Sequence, residues 1–345
     1  MSELRYNSYA AYFRRRFGQR LQKVSVDAGF GCPNRSADDR SKGGCIFCNN
    51  LAFNPSYCSP DKPVRQQIDE GIEFHRHRYP GTTQYLAYFQ PYSNTYAPLA
   101  TLRRLYDEAL AHPSVAGIII GTRPDCVDEE KLDLIASLAE RCTFVAVEYG
   151  IESCRDATLA AIGRGHTFAA TRRAVALTRS RGLHCGAHLV LGLPGETRQM
   201  IVDEAAALNE LGVDSLKLHQ LQVIRDTRLA AMVAATPVAT ADEARAALHR
   251  IGVCDEVLTM DGYIGLVCDL LERLSPDIML ERFAGEVPPR FQVLPQLAWR
   301  RADGRLLRNE EVPQRVNGEL ERRNARQGCR LDGGKSLRNN DLQSI

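Results

Sequence analysis

Six times between residues 23 and 223, a short apolar run gives way to an amphipathic or polar stretch. The runs KVSVDAGF (23–30), QYLAYFQ (84–90), VAGIIIGT (115–122), TFVAVEYG (143–150), HCGAHLVLG (184–192) and DSLKLHQLQV (214–223) read as strands. Helical spacing of apolar residues marks 60–79, 98–111, 128–140, 167–181 and 197–211. Val64, Ile68, Ile72 and His75 share one face of the first helix, and Leu99, Leu102, Leu105 and Tyr106 one face of the second. Asp128 is placed to cap the third and Thr167 to open the fourth. Helical periodicity resumes from 241 to 274, and DIMLERF (277–283) adds a late strand. Strand–helix alternation of this kind calls for a parallel sheet covered by helices, hence an α/β fold. Units of this size fit a doubly wound sheet or a partial barrel of the TIM type. No glycine-rich dinucleotide fingerprint follows the first strand; a cysteine-bearing loop does.

The 345 residues are 44% apolar, enough for one large domain or two modest ones. Formal net charge is +2, but it is unevenly placed: residues 1–23 carry six basic side chains and one acid, and residues 299–345 carry eleven basic and seven acidic. Basic ends suit RNA or an acidic lipid surface, and equally a solvated exterior. No apolar run approaches the ~20 residues that span a bilayer. The opening MSELRYNSYAAYFRRRFGQR lacks a signal-peptide core, although its Arg-rich, acid-poor composition has the cast of an organelle transit peptide. Eleven cysteines in such a chain imply a reducing cytoplasm, where they serve as core residues, metal ligands or redox centres.

The chemistry-bearing motifs all follow strands. They are the cysteine loop after the first, QPYSNTY (90–96), GTRPD (121–125), EYGIES (148–153), GLPGE (192–196) and HQLQ (219–222). In parallel α/β folds the carboxyl ends of the strands share one face, and sites are built there. The cysteine loop, DAGFGCPNRSADDRSKGGCIFCNN, holds Cys32, Cys45 and Cys48 and no fourth member of the pattern. Zinc calls for four ligands, and Cys58, ten positions on, would complete such a site. Iron–sulfur clusters are ordinarily held by four thiolates, so three leave one iron open to a small molecule.

On CPNRSADDRSKGGCIFCNN, IIIGTRPD, VEYGIES, GRGHT, HLVLGLPGE and LERLSPDIMLERFAGEVP the chain resembles the YhcC-like radical S-adenosylmethionine (SAM) proteins. Across the barrel it is also similar to the radical SAM part of the elongator catalytic subunit, a tRNA-modifying protein. The likeness runs over roughly residues 5–325. It implies a partial (β/α)6 barrel with a C-terminal extension, a [4Fe–4S] cluster on Cys32, Cys45 and Cys48, and SAM on the open iron. It further implies reductive cleavage of SAM to a 5′-deoxyadenosyl radical, fed by a flavodoxin- or ferredoxin-type donor. The substrate is unidentified, with RNA or tRNA suggested by the elongator likeness and the basic ends; no membrane is involved. The elongator subunit's acetyltransferase domain has no counterpart in the ~60 residues after the last strand. The expected segments are a basic stretch 1–22, the barrel 23–240, an extension 241–326 packed on it and a disordered polar tail 327–345. The competing reading is a non-enzymatic RNA-binding protein stabilised by zinc or an iron–sulfur site.

One departure from the commonest radical SAM pattern is the spacing, twelve residues between the first two cysteines rather than three. Two doublings of loop length cost only about 1.2 kcal/mol, which cluster ligation exceeds, and Gly43 and Gly44 permit a close backbone approach. By the resemblance, Phe47 lies near the adenine, with packing as the alternative. Gln90, Tyr92 and Asn94 stand where many relatives carry a Gly-Gly-Glu loop for the SAM amino group. Arg123 is suited to a carboxylate or to a salt bridge with Asp125. Glu148, within an apolar strand, needs donors, either from SAM or from a structural partner such as an inward arginine; Ser153 reaches toward the same ligand. Arg164 aligns with the family's arginine for the SAM carboxylate, and His166 with a helix start. His188 shares a face with Val190 and Gly192, near the ribose or as a core histidine, and Leu191 to Leu193 offer backbone groups and apolar contact to adenine. Lys217 and His219 belong to the substrate end or to polar barrel space. No catalytic side chain is assigned; Tyr92, Tyr96, Cys126 and His219 are the places for a second hydrogen or proton donor.

Overall fold

The computed structural model describes residues 3–36, 43–234, 238–301 and 303–331. Seven strands form one sheet: β1 (Gln22–Val26), β2 (Tyr85–Phe89), β3 (Val115–Thr122), β4 (Phe144–Glu152), β5 (His184–Leu191), β6 (Ser215–Gln220) and β7 (Met279–Arg282). All neighbours are parallel, and their spatial order is their chain order. That order separates the two expected architectures. A doubly wound sheet reverses direction at a switch point. Here every step goes the same way, so right-handed crossovers place the helices on one face and the sheet curls into a half-barrel.

The helices are α1 (Tyr9–Phe17), α2 (Val64–Arg76), α3 (Leu99–Leu110), α4 (Glu129–Ser137), α5 (Asp156–Ala161), α6 (Phe168–Arg179), α7 (Arg198–Leu211), α8 (Arg228–Ala234), α9 (Ala241–Arg250), α10 (Met260–Arg273) and α11 (Val312–Arg322). Asp128 caps α4 by accepting from the Lys131 N–H. Thr167 sits at the start of α6 without a side-chain cap bond; Asp156 takes the Phe168 N–H instead. The continuous periodicity over 241–274 resolves into two helices. Gly252, at φ 83°, breaks the run, and Thr240 and Thr259 each open a new helix.

Strand alternation divides the residues cleanly. Val26, Ala87, Ile118, Val147, Leu189 and Leu216 face the helices and form the main core. The opposite face looks into the barrel and changes character along its axis. At the amino ends of the strands it is apolar: Leu86, Ala116, Ile119, Phe144, Ala146 and Met279 pack against Tyr9 and Phe13 of α1. The N-terminal segment, read from its charge alone, therefore supplies a plug. Phe13 meets Phe144 edge-on at 4.9 Å. Arg14, Arg15 and Arg16 lie exposed in the last turn of α1, where the helix dipole favours cations.

Of the expected tail, residues 332–345 lie outside the described residues. Residues 327–331 belong to the packed body. Gln327 is buried; its amide donates to the Ser275 and Ile278 carbonyls and accepts from the Asn7 N–H. No helix among the described residues is long and apolar enough to cross a membrane.

Candidate active site

The cysteine loop leaves β1 and is fixed to the far side of the barrel mouth through Asn34. Its amide donates to the Gly163 and Arg164 carbonyls, at 2.9 and 2.6 Å. Gly165 makes that approach possible: a Cβ there would sit 2.4 Å from Asn34 Oδ1, and its φ is +80°. Ile46 completes the attachment, its N–H donating to Ile162 and its carbonyl accepting from Leu229. Two distant motifs, CPNR and GRGH, are thus one structural unit.

Cys32, Cys45 and Cys48 then line a single cavity of about 200 Å³ at the carboxyl ends of the strands. Guanidinium groups surround them. Arg164 Nη1 lies 3.6 Å from Cys45 Sγ and Arg123 Nη1 3.9 Å from Cys32 Sγ. Arg35 Nη2 donates to the Cys48 carbonyl at 2.7 Å. Each arginine near a sulfur is itself braced by an acid: Asp125 grips Arg123 in two bonds, 2.9 and 2.7 Å, and Glu152 lies 3.4 Å from Arg164. Burial works against both charges, yet Asp125 and Glu152, with the neighbouring cysteines, hold both guanidiniums above the usual arginine range. Burial pushes the Cys48 thiol up to about 11 against the pull of Arg35. Tyr92 and Glu152 also line the cavity and are two of the four non-glycine residues at positive φ among those described, at 63° and 68°. Backbone held there against its preference accompanies functional loops.

The donor set fits a four-iron cluster better than a single ion. Among the described residues, no three of His, Cys, Asp and Glu are gathered tightly enough to chelate one metal, as zinc at ~2.3 Å from each thiolate requires. Cys58 turns away; its thiol donates to the Ser25 carbonyl at 3.1 Å and packs beside Val24, Tyr57 and Tyr85. A cluster presents a separate iron to each thiolate, and N–H groups aimed at the sulfurs offset its negative charge.

Comparison with known proteins agrees with this geometry. The radical SAM superfamily pattern matches residues 29–208. A Methanocaldococcus jannaschii protein, MJ0486, is 32% identical over 326 residues, covering 94% of this chain and 91% of its own. YhcC of Escherichia coli K12 is 35% identical over 65% of this chain and 71% of its own. The chain belongs to the radical SAM superfamily. Within it the chain is YhcC-like, and it is an enzyme of that superfamily, whose members imply a [4Fe–4S] cluster and SAM. The solved structure of Methanocaldococcus infernus Elp3 lacking residues 1–46 shares the fold, with a TM-score of 0.59 at 16% identity. It is covered by 89% of this chain, which spans 64% of that one.

In this radical SAM chain the cavity also gathers Phe47, Gln90, Tyr92, Arg123, Glu148, Arg164 and His188, together with Lys217 and His219. Three residues named for SAM lie elsewhere. Asn94 is a loop brace: its amide donates to the Phe89, Pro91 and Gly121 carbonyls, so it holds the ends of β2 and β3 together. Ser153 is fully buried, its hydroxyl 2.7 Å from a carboxyl oxygen of both Glu196 and Glu204. Leu193 is enclosed in the core. Of the donor positions, Tyr96 is half exposed, and Cys126 is buried beside Arg123 and Asp125.

Glu148 proves to be the centre of a charge hub below the cavity. Its carboxylate accepts from Lys23 at 2.8 Å, Lys217 at 2.5 Å and His188 at 3.0 Å. Glu281 also contacts Lys23 at 2.6 Å and Lys217 at 3.2 Å, and Tyr88 meets Lys217 at 2.9 Å. Two lysines thus balance two glutamates. Burial opposes ionisation of Glu148, but Lys217 and Lys23 hold its carboxyl well below the usual range. Burial and Lys217 push His188 down, and burial with Arg282 does the same to His219, leaving both rings neutral near pH 7. Glu148 therefore has inward cationic partners, but they are two lysines and not the arginine expected. Arg35, Tyr88, Glu152 and Arg282 line the cavity without having been read from sequence. Tyr88 alone had a signal, lying two positions before Gln90 on the same strand face.

Proposed function

We propose that the cavity holds a [4Fe–4S] cluster on Cys32, Cys45 and Cys48, with SAM laid across the strand ends toward His188 and Gln222. When bound, cluster and SAM together supply reductive cleavage of a carbon–sulfur bond. The chain's own residues do the rest. Arg123 and Arg164 set positive charge beside the thiolates, Phe47 offers an apolar wall, and Gln90 with neutral His188 offers hydrogen bonds to a bound nucleoside. The hub at Glu148 closes the floor and keeps it rigid. The observation that carries this reading is the meeting of three cysteines and two acid-braced guanidiniums in one strand-end cavity.

A flavodoxin- or ferredoxin-type donor completes the reading, in a reducing cytoplasm that suits eleven unpaired cysteines. RNA or tRNA is its narrower version. The Elp3-like fold and the basic ends support it, but several of the basic residues among those described are engaged elsewhere. Those of α1 lie at the opposite end of the barrel, and Arg301, Arg323 and Arg330 are paired with Glu311, Asp269 and Glu272.

Anaerobically purified protein tests the proposal. Iron and sulfide are expected, with conversion of SAM to 5′-deoxyadenosine on reduction, and Cys48→Ala lowers both to background. Colourless protein carrying one zinc and inert toward SAM overturns it.

A further inference from the structure

A second cavity, of about 450 Å³, begins where the cluster cavity ends. Gln220, Leu221 and Gln222, at the exit of β6, line both. Its other walls come from Val223, from residues of the stretches 248–258 and 285–299, and from Leu306, Leu307 and Val312, entirely beyond the segment 29–208 shared across the superfamily. The roof is tied down. Val293 N–H donates to Val223 O at 3.1 Å, and Arg225 N–H donates to Phe291 O at 2.8 Å. The Gln220 side chain clasps Gly285 from both sides, donating to its carbonyl and accepting from its N–H, each at 2.8 Å.

The lining is aliphatic apart from Trp299, the chain's one tryptophan, which packs 4.9 Å from Tyr263. Among the described residues, Glu286 is the sole charged residue of the lining, and it is exposed; no described Lys, Arg or His contributes. The polar groups are three glutamines, whose amides donate to the Gly285 and Val287 carbonyls. A phosphate or carboxylate buried here would meet no cation. An uncharged ring or hydrocarbon would find matching walls, in a volume within the roughly 300–1,000 Å³ of small-molecule sites.

We propose that this cavity is a substrate compartment for an uncharged, largely apolar small molecule, which it presents to the cluster cavity past Gln220 and Gln222. The assignment of substrate class rests on the radical SAM reading above; the binding site itself does not. The C-terminal extension, then, selects the substrate, while the barrel activates the cofactor.

Trp299 gives the test a built-in reporter, since it is the chain's one tryptophan and lines this cavity. The holoenzyme is titrated with N-phenyl-1-naphthylamine, a neutral aromatic probe, with and without saturating SAM. Saturable quenching of Trp299 is expected, unchanged by SAM. It is expected to weaken by about tenfold or more in Leu307→Arg, which sets a charge among apolar walls. Leu306→Arg, at the half-exposed rim, gives the same direction where the first variant fails to fold. Cys48→Ala keeps probe binding, so loss of the cluster reading and loss of this one are told apart. Absence of saturable quenching overturns the proposal, and so does displacement by SAM, which would make the cavity an adenine pocket. With the reduced holoenzyme, deuterium should pass to 5′-deoxyadenosine from the neutral, organic-soluble fraction of deuterated cells. Transfer from the RNA fraction instead overturns the substrate class.

Discussion

The two mouths of the half-barrel are built from the same seven strands and share almost nothing else. At the amino ends, α1 presses Tyr9 and Phe13 against Leu86, Phe144 and Met279, and the opening is filled with rings. At the carboxyl ends lie three thiols, four guanidiniums and two histidines around open space. Between them, Glu148 and Glu281 meet Lys23 and Lys217. One mouth is closed by hydrophobic burial and needs no ligand. The other is kept open by polar side chains whose bonds run to neighbouring loops, so that filling it is left to something that binds. The contrast also relocates the basic N-terminus: its arginines decorate the closed mouth.

Glu148→Ala strikes between the two regions and has the largest expected effect. Buried Lys217 and half-buried Lys23 are left with one glutamate, a change that costs about 3–5 kcal/mol, read as a shift in the urea midpoint. Because Glu148 is held ionised in the fold, its contribution is present above the ordinary glutamate pKa of about 4.3 and vanishes as pH falls through its lowered folded value. Replacing Glu148 and Lys217 together by Leu and Met restores part of the loss. Phe13→Ala comes next, at about 3 kcal/mol for an emptied aromatic site. Iron content and SAM turnover per folded molecule stay unchanged; a fall in either would dissolve the contrast between mouths.

A pH-dependent effect, read as a slope rather than as a single loss, belongs to Ser153, Glu196 and Glu204 behind the open mouth. Burial, then repulsion from Glu196, raises Glu204 to about 8, so the pair shares a proton in the fold that the unfolded chain has lost. Stability accordingly declines from about pH 5 to 8, by at most about 1.4 kcal/mol per unit. Glu204→Gln should flatten that slope. The smallest effect is the triple change of Arg14, Arg15 and Arg16 to Ala, within about 0.5 kcal/mol and without effect on SAM turnover.

Much of the barrel could be read from the chain because its signals are local. VAGIIIGT is β3 to the residue, and the late strand DIMLERF encloses β7. The α1 helix escaped because its arginines masked a face of Tyr9 and Phe13 whose partners lie over a hundred residues away. The three cysteines were legible from spacing. The SAM contacts were less so, since the fate of a polar side chain depends on partners that sequence distance conceals. Glu148 finds Lys23 125 positions back and Lys217 69 ahead. Ser153 finds Glu204 51 positions on.

Lys23 and Glu281 have one more consequence. They belong to β1 and β7, the two strands that have only one neighbour each. The wall is continuous in backbone hydrogen bonds everywhere except along this line, where a 2.6 Å ion contact joins its borders. Widening the half-barrel there breaks no β1–β7 ladder bond, although the Leu280 N–H of β7 is tied to the Asn7 carbonyl, so changes in its girth are cheapest at this seam. A bulky guest would be accommodated by loosening one side-chain pair rather than by deforming a strand.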